Sequence, residues 1–159
     1  ARARATAWPF ERLSEDHLSR TCLYARWVDE DNYNRGPRVY FERLPMPMRL
    51  IVPRMVRRQL TAQIKGHGMG RHSGSEIVAL GTHSLNAAAD FLGHKTYMMR
   101  YEPSGLDATA FAFLAGALCP TFETPLRTAV ARHKNIKEYV GRMAKRFYPD
   151  FTEICKWVA

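Results

Sequence analysis

Four side chains near the start of the chain have the types and spacing of a binding surface. His17, Arg20, Tyr24 and Trp27 follow one another at intervals of three or four residues, which places them on one side of a helix. Aromatic rings can form an apolar pocket wall, and the polar ends of Arg and Tyr can orient a ligand. The same spacing also fits a helix that buries Tyr24 and Trp27 and leaves Arg20 in solvent. The residues alone leave both interpretations open.

Two histidines flank a glycine-rich segment and raise the question of a metal or phosphate site. His67 and His72 lie in the sequence KGHGMGRHS at residues 65–73. They lack the four-residue helical spacing that a zinc site would use, and a phosphate-binding loop would follow a strand. Glycine permits a tight connection between helices. We therefore predict a structural turn here and no metal.

A third pattern marks the start of a helix. Ser104 can cap it, and Asp107, three residues on, can accept from the backbone N–H of Ser104 as a capping box. From Ala108 to Cys119 only Thr109 and Gly116 interrupt the apolar residues. A helix without a polar face is surrounded by protein. We predict that Ser104 and Asp107 are structural and that the carboxylate of Asp107 is buried.

Composition limits the class of protein. The 159 residues, of which 46% are hydrophobic and 25% charged, predict one globular domain over residues 1–159. No secretory or transmembrane segment is visible, which predicts a cytoplasmic location. The three cysteines, Cys22, Cys119 and Cys155, have no C-x-x-C spacing, which indicates reduced thiols. Cys119 is expected to be inert core.

The net charge of +9 is concentrated in two segments. Residues 43–75 hold seven basic and no acidic side chains, and residues 126–146 hold seven basic side chains and Glu138. A basic surface can attract nucleic acid, an anionic membrane or acidic small molecules. Because these residues are not interleaved with aromatics that would stack bases, we favour solvated helix faces and predict no nucleic-acid partner.

Helical periodicity and proline positions predict an all-α bundle without strands. The expected helices are residues 9–28, 37–44, 47–66, 74–92, 104–118, 124–133 and 135–147. Pro53 lies inside a helical pattern and should kink or divide that helix.

Several of these segments together resemble one family. Residues 104–115 are similar to the capped central helix of the C-terminal, all-helical domain of glutathione transferases. Residues 65–73 with Glu76-Ile77 resemble the glycine–histidine signature of the branch that contains the failed-axon-connections proteins and borders the metaxins. Residues 139–151 resemble the closing helix of that branch, and Glu15-Asp-His-Leu18 with Tyr24 and Trp27 resembles its opening helix. The segments keep the family's order along nearly the whole chain.

The resemblance implies a glutathione transferase-like protein in which a thioredoxin-like domain precedes this one. Residue 1 is Ala, and we expect that the preceding domain is absent from this chain. That domain would bind the co-substrate glutathione and carry the catalytic residue, so no catalytic residue is expected here. The resemblance places His17, Arg20, Tyr24 and Trp27 at the cleft for a small electrophilic substrate and implies a possible homodimer.

One departure bears on the substrate. The family pattern tends towards His-Leu-Tyr-Trp, whereas this chain has His17-Leu18-Ser19-Arg20. A small hydroxyl and a cation predict a wider pocket that suits an anionic electrophile. The alternative function is a non-catalytic protein-interaction module of the metaxin or failed-axon-connections type, because a fold does not settle an activity.

Overall fold

The computed structural model describes residues 2–158, with side chains from residue 5 onward. The elements in chain order are α1 (Arg2–Arg12), a π-helical segment (Leu13–Leu18), α2 (Ser19–Trp27), α3 (Glu30–Arg35), a 3₁₀ turn (Pro37–Phe41), α4 (Met48–His67), a second 3₁₀ turn (Met69–Arg71), α5 (Gly74–Leu92), α6 (Gly105–Leu118), α7 (Pro125–Ala131), α8 (Lys134–Phe147) and α9 (Thr152–Val158). No strand occurs among these residues. The all-α prediction is confirmed.

The first three elements form one continuous helical path. The backbone stays helical at both junctions, with φ −62° and ψ −43° at Arg12 and φ −63° and ψ −44° at Leu18. The hydroxyl groups of Ser14 and Thr21 donate to the carbonyl groups of Phe10 and His17. The π-helical turn between them bonds over a longer interval than an α-helix. Residues before and after it are therefore out of register with a single α-helical stripe.

Side-chain caps fix the start of several helices. The carboxylate of Asp29 accepts from the N–H of Asn32 at 2.9 Å and begins α3. The N–H of Ser73 donates to the carboxylate of Glu76 at 2.7 Å in a capping box that begins α5. The hydroxyl of Thr124 accepts from the N–H of Arg127 at 3.0 Å and begins α7. Each cap follows a loop, so it decides where the chain turns back into the bundle.

Helix α6 lies at the centre, in contact with α1, α2, α7, α8 and α9. Its large side chains belong to the main core, together with residues of α5, α7 and α8. The prediction that protein surrounds this helix needs one correction, because Ala108 and Ala112 are exposed. A methyl side chain adds little apolar surface, so alanine can face solvent on an otherwise buried helix. A smaller cluster of Ile64, Met69 and Ile77 holds α4 against α2 and α5.

The structure differs from the predicted elements in several places, and the first helix already begins at Arg2. Helices α3 and α9, which are only six and seven residues long, were not predicted from the sequence. The predicted helix at residues 37–44 is a short 3₁₀ turn. Pro53 does not divide α4, which continues from Met48 to His67. Pro53 lies early in the helix, where it removes one backbone hydrogen bond and leaves the later turns intact.

Candidate functional site

Asp107 lies fully buried at the start of α6, where its carboxylate meets four donors. Oδ2 accepts from the N–H and from the hydroxyl of Ser104, each at 2.8 Å. Oδ1 accepts from the N–H of Met98 at 2.7 Å and lies 3.1 Å from the hydroxyl of Tyr139. The capping box is therefore present, and Asp107 also ties the 93–103 loop and α8 to α6. Protein donors occupy both oxygens, as a structural role requires.

The buried position beside Asp107 shifts the pKa values of Tyr139 and Lys95. Burial, reinforced by the Asp107 carboxylate, raises the pKa of Tyr139 far above its usual range, so its hydroxyl stays a hydrogen-bond donor even at strongly basic pH. Burial lowers the pKa of Lys95, and Asp107 opposes that shift. The ammonium of Lys95 donates to the carbonyl of Met98 at 2.8 Å and lies 3.8 Å from the ring centre of Phe91. These contacts hold the loop in place beside the cap.

A cleft of about 490 Å³ opens at the other end of α6, between that helix, the end of α2, the first 3₁₀ turn and α9. Three small residues of α6, Ala112, Ala115 and Gly116, form its floor, and Cys119 follows them. The walls are mainly aromatic and comprise Trp27, Tyr40, Phe111, Phe122, Tyr148 and Trp157. The rings of Phe111 and Tyr148 stack with their centres 5.4 Å apart. A predominantly aromatic wall with few polar groups is typical of a site for an apolar ligand.

Arg26 is the one charged side chain among the described residues that line this cleft. Its guanidinium donates to the carbonyl of Gly116 at 2.8 Å and lies 4.7 Å from the ring centre of Phe122. Gly116 permits this approach, because a Cβ at that position would lie 2.9 Å from Nη2 of Arg26. The cation is thus held at an aromatic wall, where it can attract a negatively charged group on a ligand.

The four residues that the sequence placed on one stripe have different surroundings in the structure. Trp27 lines the cleft and lies near Tyr33 and Phe41, with ring centres 6.1 and 6.4 Å away. Tyr24 packs against the smaller cluster instead. Arg20 has a buried Nε without a hydrogen-bond partner in the described residues, and His17 is an exposed residue of the π-helical turn. A substrate role for His17, Arg20 and Tyr24 stays a prediction.

Other cleft residues were missed by the sequence analysis. Arg26 precedes Trp27 directly, and neighbours on a helix do not share a stripe. Tyr40 and Trp157 reach the cleft from the 3₁₀ turn and α9, which are short and carry little periodic signal. Cys119 was expected inside the core, but it is half-buried and lines the cleft. The aromatic content of residues 147–157 was the signal that could have pointed to this region.

The glycine–histidine segment is a turn between α4 and α5. Gly68 has φ +105°, a conformation that favours glycine. Nε2 of His67 lies 3.8 Å from a carboxylate oxygen of Asp16, and Nδ1 of His72 lies 4.0 Å from one of Glu76. The described residues contain no group of three His, Cys, Asp or Glu side chains that could hold a metal ion. Among all the described residues, 2–158, none of the helices combines the length and the hydrophobicity that a membrane span requires.

The all-helical bundle and its capped central helix define a class of protein. Residues 81–143, which include α6 with its capping box and Tyr139, match the family described as the C-terminal domain of glutathione S-transferase. The chain is a helical domain of this class.

The comparison with curated proteins narrows the assignment. Failed axon connections of Drosophila melanogaster is 30% identical over 167 residues, an alignment that covers 98% of this chain and 40% of that relative. The chain is thus similar to this glutathione transferase-like relative along nearly its whole length. It spans 40% of the length of this relative. No solved structure matches the chain significantly.

Proposed function

We propose that this domain forms the substrate side of a glutathione transferase-like protein. The observation that carries the proposal is the cleft of about 490 Å³ with its aromatic walls and one cation. Its volume falls within the range of about 300–1,000 Å³ common for small-molecule sites. A thioredoxin-like domain elsewhere in the protein would bind glutathione and activate its thiol. The present domain would hold the electrophile and orient it for attack.

The cleft indicates which electrophile would fit. Trp27, Tyr40 and Trp157 offer flat apolar surfaces to an aromatic or extended apolar group. Arg26 lies beside them and would attract a carboxylate, or the negative charge that develops when a thiolate adds to an electron-poor ring. Arg26 as well as Arg20 would therefore favour an anionic electrophile. No residue of the cleft is assigned the role of nucleophile.

Filling the cleft tests the proposal. Ala112 and Ala108 are both exposed alanines of α6, but only Ala112 lines the cleft. In the full-length protein, Ala112→Trp should weaken binding of a dinitrophenyl–glutathione conjugate by more than about tenfold, because a side chain occupies the ligand volume. The control Ala108→Trp should change binding less than twofold. Isothermal titration calorimetry measures binding, because a tryptophan introduced at either position would add its own fluorescence to that of Trp27 and Trp157.

Two further measurements separate the transferase function from the interaction module. Glutathione conjugation of chlorodinitrobenzene by the full-length protein should fall with Ala112→Trp and persist with Ala108→Trp. Arg20→Gln and Arg26→Gln, compared on neutral and anionic electrophiles, should lower turnover of the anionic ones more; equal effects would remove the charge preference. Ligand binding without turnover would favour the interaction module. Equal binding by the two alanine variants would refute the cleft as the site.

A further inference from the structure

Helix α4 presents an apolar stripe to solvent on the side opposite its packing face. Met48, Ile51 and Met55 recur at spacings of three and four, so they share one face. Their exposed fractions are 49%, 54% and 58%. Three large apolar side chains that face water together on one helix mark a surface that has a partner. We call these three residues the α4 stripe.

The opposite face of α4 packs against the bundle through Arg57 and Ile64. The guanidinium of Arg57 donates to the carbonyls of Trp27 and Val28, each at 2.8 Å, and pairs with Glu30 at 2.7 Å. It also lies 4.5 Å from the ring centre of Tyr33. Ile64 is buried in the smaller cluster. Because these contacts fix the rotation of α4 about its own axis, the stripe cannot turn inward to bury itself.

Basic side chains without a carboxylate partner in the described residues flank the stripe on one side. Of the seven basic residues between positions 43 and 75, only Arg57 pairs with a carboxylate in the described part of the chain. Arg54, Arg58 and Lys65 are exposed, and their positions on the helix lie along one flank of the stripe. No acidic residue occurs between positions 43 and 75. The partner of this face should therefore combine negative charge with an apolar interior.

We propose that α4 docks in the plane of an anionic membrane surface, with Met48, Ile51 and Met55 inserted among the acyl chains and Arg54, Arg58 and Lys65 on the lipid headgroups. An apolar face flanked by Lys and Arg on a helix too polar to span is the pattern of an interfacial helix. The cytoplasmic leaflet supplies the negative surface potential. This role is separate from the cleft and does not depend on the proposed transferase function.

Vesicle flotation of the full-length protein tests the stripe. The protein should float with vesicles of phosphatidylcholine and phosphatidylserine, and not with pure phosphatidylcholine. Ile51→Glu/Met55→Glu should abolish flotation. The control Trp8→Glu/Tyr101→Glu adds the same charge at side chains that are 62% and 81% exposed, and it should float like the wild type. Because all four positions are exposed, both variants should fold, and circular dichroism verifies this.

The basic flank is tested in the same assay. Arg54→Gln/Arg58→Gln should weaken binding about fivefold per charge removed, since each basic residue near an anionic surface contributes to that extent at low salt. Arg100→Gln/Arg132→Gln, which removes two exposed charges elsewhere, should have less effect.

Three results would overturn the proposal. One is the absence of flotation with phosphatidylserine vesicles. Another is flotation that survives the Glu pair but not the Gln pair, which would indicate electrostatic adsorption to the headgroups without insertion of the stripe. The last is a wild-type dimer in solution that the Glu pair dissociates, which would assign the stripe to a second copy of the chain.

Discussion

At the scale of single residues, Asp107 shows how one carboxylate holds distant segments together. Its oxygens accept from Ser104, from the backbone of Met98 and from Tyr139. Ser104 is close in sequence and was predictable from the capping-box spacing. Met98 and Tyr139 were not, because nothing in a local pattern tells which loop or which later helix will reach the cap. The sequence thus predicted the contact of Asp107 with Ser104 but not its contacts with Met98 and Tyr139.

The contacts with Met98 and Tyr139 raise the expected loss of folding free energy when the carboxylate is removed. Asp107→Ala should lower the free energy of unfolding by about 3 kcal/mol or more, above the usual capping range of about 0.5–2 kcal/mol, because buried N–H groups lose a charged acceptor and water cannot replace it. Asp107→Asn keeps one acceptor oxygen and should cost less. Chemical denaturation of both variants measures this, with the exposed Asp90→Ala as control, expected within about 0.5 kcal/mol of wild type.

A contrary result would reassign Asp107. If Asp107→Ala unfolded at the wild-type denaturant concentration and yet lost turnover in the full-length protein, its carboxylate would belong to the substrate site.

At the scale of elements, the predicted stripe on the first helix is interrupted only at its start, because His17 lies in a π-helical turn whereas Arg20, Tyr24 and Trp27 all lie in the regular helix α2. The periodicity of His17, Arg20, Tyr24 and Trp27 assumes an unbroken α-helix. The π-helical segment Leu13–Leu18 contains His17 and changes the number of residues per turn. Nothing in the sequence of residues 13–18 indicates that change. The long helices α5 and α8 were predictable from their periodicity and α6 from its capping box and apolar run, whereas α3 and α9 are too short to show a period.

Close packing between helices leaves no room for a side chain at one glycine of α5. A Cβ on Gly81 would lie 2.6 Å from Cγ2 of Thr21 and 2.9 Å from Cδ1 of Leu126, where α5 meets α2 and α7. Gly81→Ala should therefore destabilise the protein by about 1–3 kcal/mol through overpacking. Gly66 lies inside α4 with no atom within 4 Å of a Cβ, so Gly66→Ala should be neutral or stabilising by up to about 1 kcal/mol. Thermal unfolding of both variants decides this, and equal shifts would contradict the close packing.

At the scale of the whole molecule, the two clusters divide the bundle into parts of unequal stability. The main core contains residues of α5, α6, α7 and α8, whereas α4 is held chiefly by Ile64 and by the hydrogen bonds of Arg57. Composition and charge already predicted a single basic domain. They could not predict this division, because it depends on which helices meet at the centre.

The division predicts a pattern of amide hydrogen exchange in the full-length protein. Amides of α6 and α8 should exchange only through global unfolding, because their segments are buried in the main core. Amides of residues 48–56 should exchange faster by at least about tenfold, since segments with few buried apolar contacts open locally at lower free energy. Phosphatidylserine vesicles should then slow exchange in α4 and leave α6 unchanged. Equal protection of α4 and α6 without vesicles would contradict the division, and a vesicle effect spread over all helices would show that docking is not local to α4.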